Sequence, residues 1–264
     1  MTRLCACLLL LSAAQSIAWA QFHEVDMIGT VYVDSVSGTN VTIVPQGRTI
    51  RWNLVSGGQH TVTDSLGGMI FDSGLMTSAN PQFTFTPPAT GMINYQCNVH
   101  LSCCNMVGTI IVIPALNFPG SNEDTVLETS VAGAALSIDE TKMAAPGDTV
   151  SINYRSPHGS FTGIGFLIVG QLFTTGTLPG GPTGFPSVHV NPSITPGPFL
   201  LHNGTINTVL GFQGLPPNGH NLFFGFVPPG LAGNSLMIQG LSTINTAANG
   251  FFAASDGKVI QLTP

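Results

Sequence analysis

Charged side chains are scarce in this sequence: they make up 7% of its 264 residues, with 12 acidic against 6 basic ones. The basic residues are scattered, so no stretch can follow a phosphate backbone and the sequence argues against nucleic-acid binding. Glycine (32 residues) and proline (19) are abundant, which is not typical of a helical protein. Short apolar runs broken by Gly, Pro, Asn and Ser instead predict an all-β chain.

Long apolar runs are also missing. No stretch after the N-terminus approaches the roughly 18 residues that a membrane-spanning helix needs, so the chain is not predicted to span a membrane. At the N-terminus, Arg3 precedes an apolar run over residues 4–14, and Ala18-Trp19-Ala20 fits a signal peptidase site. We expect residues 1–20 to be a cleaved secretory signal and the protein to be periplasmic or extracellular. A buried N-terminal helix is the alternative.

Cysteine is rare in the part that would remain after cleavage. Cys5 and Cys7 would leave with the signal, and three cysteines would stay: Cys97, Cys103 and Cys104. In an oxidising compartment an odd number leaves at least one thiol outside intrachain disulfides. Metal ligation is a leading use for such a thiol.

The chain divides into two β-rich halves. Seven or so short strands between residues 22 and 113 predict a small Greek-key β-sandwich as the first domain, residues 21–114. Turn-forming residues over 115–124 predict a linker, and residues 125–264 predict a second β-sandwich of unknown role. The predicted strands are 25–33, 41–44, 49–54, 61–63, 82–86, 92–96 and 107–113 in the first half, and 149–154, 163–169, 205–212, 221–226, 235–239 and 259–262 in the second.

Four side chains of the first half form a metal-ligand pattern. Cys97, His100 and Met106 lie on one loop between two strand-like runs, and His60 stands at the start of an earlier strand. One thiolate, two imidazoles and a thioether are the donors of a trigonal copper site with a weak axial sulfur. A Cys-x-x-His loop can direct both donors at one ion, whereas neighbouring strand residues face opposite ways. The pattern predicts one copper ion, with a backbone N–H near Thr61 as a candidate hydrogen-bond donor to the Cys97 sulfur.

With these residues, the segment from 25 to 113 resembles the plastocyanin-like, or cupredoxin, family of blue-copper proteins. The resemblance covers about a third of the chain. It implies a sandwich of eight or so strands, a type 1 copper site and one-electron transfer to or from a redox partner protein. It also implies that His100 lies near the surface as the electron exit. Beyond the four ligands, it is carried by Thr49-Ile50-Arg51-Trp52-Asn53 before the His-Thr-Val, by Phe71-Asp72-Ser73-Gly74-Leu75, by Phe83-Thr84-Phe85 and by Tyr95-x-Cys97.

The sequence departs from the family in one place. The interval from His100 to Met106 is longer than usual, and Cys103-Cys104 fills it. These cysteines could form a vicinal disulfide, remain thiols, or donate to the metal in place of Met106. A binuclear copper centre would need two cysteines spaced to bridge both ions, and the order here does not match.

An enzymatic role is not predicted. Multicopper oxidases and copper nitrite reductases need paired histidines, and the other histidines of this chain are isolated in the sequence. The alternatives are a fold that has lost its metal, and a non-redox copper-binding or structural, adhesive surface protein. The second half carries no catalytic motif; residues 227–240 loosely resemble a C-terminal β-sandwich of some exported bacterial proteins, so a scaffold, attachment or docking role is expected. The isolated histidines are His23, His158, His189, His202 and His220.

Overall fold

The computed structural model describes residues 22–177, 181, 185, 187–205, 207–208, 211–212, 214–243, 247 and 250–264. The predicted signal at 1–20, with Cys5 and Cys7, lies outside these ranges. Within them the chain is almost entirely β, with one helix of four residues, so the predicted all-β fold class is confirmed. No helix in this part of the chain is long and apolar enough to cross a membrane.

The first eight strands form two four-stranded sheets. One sheet has the order β2-β1-β4-β6 and the other the order β3-β8-β7-β5, so the chain repeatedly crosses between them. The pairs β1–β4 and β3–β8 are parallel and the remaining pairs are antiparallel. The strands are β1 His23–Ile28, β2 Val31–Asp34, β3 Val41–Pro45, β4 Ile50–Leu54, β5 Thr63–Asp64, β6 Gln82–Phe85, β7 Gly91–Gln96 and β8 Val107–Ile113, and helix α1 is Leu101–Cys104.

Alternating side chains explain why these segments form a sandwich. In β8 every second residue is buried, and the buried residues join a core around Trp52, Tyr95 and Phe71. The single strand predicted over 25–33 was wrong, because the chain turns at Gly29, whose φ is +62°. The apolar alternation continues on both sides of this turn, so glycine was its main sequence signal.

Eleven further strands follow in the second half. A six-stranded sheet has the order β10-β19-β17-β12-β13, with β18 also paired to β17, and a three-stranded sheet has the order β16-β11-β9. In the described residues no strand pairing joins these sheets to the first eight strands. The strands are β9 Val126–Val131, β10 Thr141–Ala144, β11 Thr149–Arg155, β12 Phe166–Thr174, β13 Phe199–Asn203, β14 Asn207–Thr208, β15 Gly211–Phe212, β16 His220–Phe226, β17 Asn234–Thr243, β18 Phe252–Ala254 and β19 Lys258–Leu262.

An apolar core lies between these two larger sheets, with Ile152, Tyr154, Phe166 and Ile238 among its members. Four strands were missed from the sequence: β9, β10, β13 and β18. They are short or have polar residues on the alternate positions, so their apolar content alone did not mark them. The strand predicted over 205–212 was wrong, since the described part of it forms the short hairpin β14–β15.

The predicted linker has no strand but packs closely on the second half. The Phe118 side chain is buried against the six-stranded sheet, and its backbone N–H donates to Glu140 Oε1 at 2.7 Å. The Gly120 N–H donates to Asp256 Oδ1 at 2.8 Å. The same carboxylate oxygen lies 3.1 Å from an Nη atom of Arg48, which belongs to the first sandwich.

Candidate metal centre

Three of the four predicted ligands meet at one end of the first sandwich. The Cys97 Sγ atom lies 3.7 Å from His60 Nδ1 and 3.5 Å from His100 Nδ1, although His60 is 37 residues upstream of Cys97. One donor atom from each of the three residues lies within 4.8 Å of the other two. His60 and Cys97 are fully buried, whereas His100 is partly exposed. The structure therefore brings a thiol and two imidazoles together from distant segments.

Backbone pairing with Met76 fixes the position of His60. The His60 N–H donates to the Met76 carbonyl at 3.2 Å, and the Met76 N–H donates back to the His60 carbonyl at 2.8 Å. Two residues later, the Val62 N–H donates to Ser73 Oγ at 2.8 Å. Of the strand predicted over 61–63, only Thr63 lies in a strand, which is β5. The preceding pairing is an isolated bridge at His60.

A tight turn after β7 positions Cys97 and His100. The Cys97 N–H donates to the Met106 carbonyl at 3.0 Å, and the His100 N–H donates to the Cys97 carbonyl at 3.1 Å. This turn points both side chains toward the same place, as expected of the Cys-x-x-His spacing. Helix α1 then begins directly after His100.

Thr61, in the segment between His60 and β5, donates a hydrogen bond to the cysteine sulfur. Its backbone N–H donates to Cys97 Sγ at 3.3 Å, so the hydrogen bond predicted from this region is confirmed. The Thr61 hydroxyl accepts a bond from the Asn98 N–H at 2.8 Å, and its carbonyl accepts one from Tyr32 Oη at 2.6 Å. The cysteine loop and the His60 segment are thus locked together by bonds on both sides of the thiol.

Met106 is buried in the same core cluster as Cys97, directly before β8. The preceding residue, Asn105, has a left-handed backbone with φ of +48°, which ends α1 and returns the chain to the sheet. The backbone pairing with Cys97 keeps residue 106 beside the cysteine. Its role as the axial ligand stays a prediction.

The separations between donors suit a single metal ion. Metal bonds of about 2.0–2.3 Å to nitrogen and sulfur, at angles of about 110–120°, place the two donor atoms about 3.5–3.8 Å apart. The observed separations of 3.5 and 3.7 Å agree with this range. Burial, followed by the neighbouring His100, lowers the pKa of His60, which favours the neutral imidazole that a metal ligand requires. The other ring nitrogen, His60 Nε2, is buried without a hydrogen-bond partner in the described structure.

Cys103 and Cys104 are joined by a disulfide, and both residues are exposed. This selects the vicinal disulfide among the three states that the sequence left open. Neither cysteine is therefore a metal donor here. Among the described cysteines, Cys97 is the free one.

A histidine pair in the second half was missed from the sequence. The rings of His202 and His220 lie 4.0 Å apart between centroids, and both contact the Phe166 ring. The two residues come from β13 and β16, the edge strands of different sheets, so no spacing rule links them. In the ranges that the structure describes, the one group of three or more histidine, cysteine or acidic donors is His60, Cys97 and His100.

Comparison with known proteins finds similarity only among solved structures. An oxidised amicyanin mutant aligns at 19% identity with a TM-score of 0.28, covering 34% of this chain and 80% of its own. The Cu(I) form of another amicyanin mutant aligns at 21% identity and 0.29, covering 35% and 82%. Oxidised plastocyanin from Dryopteris crassirhizoma aligns at 19% identity and 0.29, covering 34% and 99%. No protein-family model and no curated protein matches the sequence.

Proposed function

We propose that this chain is an exported type 1 copper protein that binds one copper ion and carries single electrons. The observation that supports this most directly is the convergence of the Cys97 thiol with the two Nδ1 atoms of His60 and His100. A thiolate and two neutral imidazoles, with a methionine beside them, are the donors that suit copper in both of its common oxidation states.

Each residue has a defined task in this proposal. Cys97, as thiolate, and the imidazoles of His60 and His100 would hold the ion, with Met106 as the weak axial ligand. Bound copper would supply a reversible one-electron couple. The Thr61 N–H, directed at the sulfur, stabilises negative charge on it and so tunes that couple.

The burial of the donors favours electron transfer over open-site catalysis. His60, Cys97 and Met106 are shielded from water, and His100 alone of the four is partly exposed. In this proposal the His100 ring would connect the bound ion to the protein surface. A redox partner protein would dock there, and no catalytic residue is assigned.

The first experiment is a copper titration. The chain, purified after export, should develop an intense visible thiolate-to-copper band at one Cu(II) per chain. Cys97→Ser should abolish the band and His60→Ala should weaken or remove it. His202→Ala is the matched control, since it removes an equally paired histidine of the second half and should leave the band unchanged. A band that survives in Cys97→Ser would refute the proposal.

Electrochemistry separates a carrier from the alternatives. A carrier should give a fast, reversible one-electron wave on an electrode. A non-redox copper-binding or adhesive module should show no such wave at the same copper content. More than one copper per chain would instead indicate an oxidoreductase.

A further inference from the structure

The Cys103–Cys104 disulfide lies in the short segment between two proposed ligands. Helix α1 begins next to His100 and ends at Cys104, and one residue then separates it from Met106. A cross-link between adjacent residues closes almost no loop, so it restricts the unfolded chain very little. Structural reinforcement is therefore a poor reason for this bond. Because the disulfide is exposed and lies between two proposed ligands, a redox role suits it better.

The two sulfurs have different surroundings. Cys104 lines a surface groove of about 320 Å³ between residues 30–33, residues 38–40 and the start of β8. Cys103 Sγ lies 3.6 Å from the carbonyl oxygen of His100. Both cysteines are exposed, Cys104 borders the groove, and the Cys103 sulfur has an acceptor beside it.

We propose that the Cys103–Cys104 disulfide is a thiol-exchange site for a dithiol reductant, and that its oxidation state sets the conformation of the segment from His100 to Met106. The exchange itself is independent of any metal. Its coupling to the metal site rests on the proposed function.

The exchange is balanced by the reductant's two thiols. One thiolate attacks Cys104 Sγ and forms a mixed disulfide, while the Cys103–Cys104 bond breaks and leaves its electron pair on Cys103 Sγ. Cys103 takes a proton, and its S–H then faces the His100 carbonyl. The second thiolate attacks the mixed disulfide and releases Cys104, which takes another proton. The protein gains two electrons and two protons, and the reductant becomes a disulfide.

Reduction would change the forces on the ligand segment. Consecutive side chains of a helix point about 100° apart, and the disulfide holds these two sulfurs together against that tendency. The His100 carbonyl already accepts the Cys104 N–H at 3.1 Å. A free Cys103 thiol would add a second donor to the same oxygen. The His100 carbonyl would therefore have different hydrogen-bond donors in the two states.

The exchange is tested on the metal-free chain by counting thiols. Dithiothreitol treatment, its removal under nitrogen and titration with a thiol reagent under native conditions should yield two more reactive thiols than the untreated chain. The Cys103→Ser/Cys104→Ser double variant should gain none. If the native chain gains none while the reduced, denatured chain shows all of its cysteines, the exchange is ruled out.

The coupling is tested with Co(II), which is added after the reductant has been removed. Reduced and oxidised chains should differ in their thiolate-to-cobalt and ligand-field bands, reoxidation should restore the original spectrum, and the double variant should not respond to treatment. Superimposable spectra would overturn the coupling. Absence of any thiolate-to-cobalt band in both states would defeat the proposed function and the coupling together, while the thiol count still decides the exchange.

Discussion

Two buried polar groups, one in each half of the molecule, have different surroundings. In the second half, Gln239 donates to the carbonyls of Ser187 and Ser255 and accepts from the His189 N–H, at 2.6–2.9 Å. In the first half, the buried Cys97 is a free cysteine whose Sγ lies 3.7 Å from His60 Nδ1 and 3.5 Å from His100 Nδ1. A buried polar group generally costs stability unless it is fully bonded.

The hydrogen bonds of Gln239 and the surroundings of Cys97 indicate different roles for these two groups. The glutamine ties the loops at Ser187–His189 and at Ser255 to the six-stranded sheet, so its hydrogen bonds are structural. The thiol and the imidazoles are gathered without saturating one another, an arrangement that suits an added ion. The comparison predicts that stability and metal binding respond to different substitutions.

The largest effect should come from the core of the second half. Phe166 is fully buried between Tyr154 and the two histidine rings, and Phe166→Ala should cost about 3–5 kcal/mol of unfolding free energy. The visible spectrum of the copper form should stay unchanged. Urea unfolding followed by circular dichroism measures the loss, and Ile238→Val, at about 1 kcal/mol, is the control. A changed copper spectrum would show that the core of the second half also affects the metal site.

A matched pair of glycines gives the second prediction. A Cβ on Gly108 would lie 2.3 Å from the Tyr95 ring in the first half, and a Cβ on Gly240 would lie 2.3 Å from the Tyr154 ring in the second. Either Gly→Ala change should cost about 1–3 kcal/mol by overpacking. Gly108→Ala alone should shift the copper spectrum, because Gly108 follows Met106 by two residues. Equal spectra for the two variants would contradict this.

The smallest effects should appear in the pH dependence of stability. Burial alone would raise the pKa of Asp64, but three backbone N–H groups of the 66–71 turn outweigh it and hold the pKa below its usual value. A pKa lowered by folding contributes stability above the unfolded value of about 3.9, and this is lost as pH falls through the folded value. Asp64→Asn should therefore reduce the loss of unfolding free energy at acidic pH.

Lys258 in the second half should act at the other end of the pH range. Its burial lowers the pKa, although the nearby Asp256 opposes this. Between the lowered pKa and the unfolded value of about 10.4, the unfolded chain holds a proton that the folded chain lacks, so stability rises with pH. Lys258→Met should remove that rise. Unfolding of the first half is followed by Trp52 fluorescence and unfolding of the whole chain by circular dichroism. If the change of stability with pH persists in Asp64→Asn or in Lys258→Met, the assignment to that residue is wrong.

Local spacing made much of the first half predictable. The bounds of β8 agree with the predicted 107–113, because a run rich in β-branched residues ends there at a proline. The Cys97–His100 turn was also predictable, since both residues belong to one loop. The approach of His60 was predicted from the donor set and then from the family resemblance, because a contact across 37 residues leaves no trace in local spacing.

Other features could not be obtained in this way. The fate of Cys103 and Cys104 depends on how a single turn is folded, and three states were compatible with the sequence. The His202–His220 pair joins edge strands of different sheets, and part of the sequence between them was misassigned as one strand. Contacts between sheets are set by packing, which local patterns do not encode.

The Asp256 carboxylate affects how freely the first sandwich can move. Asp256 bonds both the segment that leaves the first sandwich and an arginine within that sandwich. A carrier module on a loose tether can swing toward its target while the remainder stays still. The two Asp256 contacts restrict such a swing of the first sandwich. In the proposed carrier, the molecule would therefore present His100 to a partner by rotating as a whole.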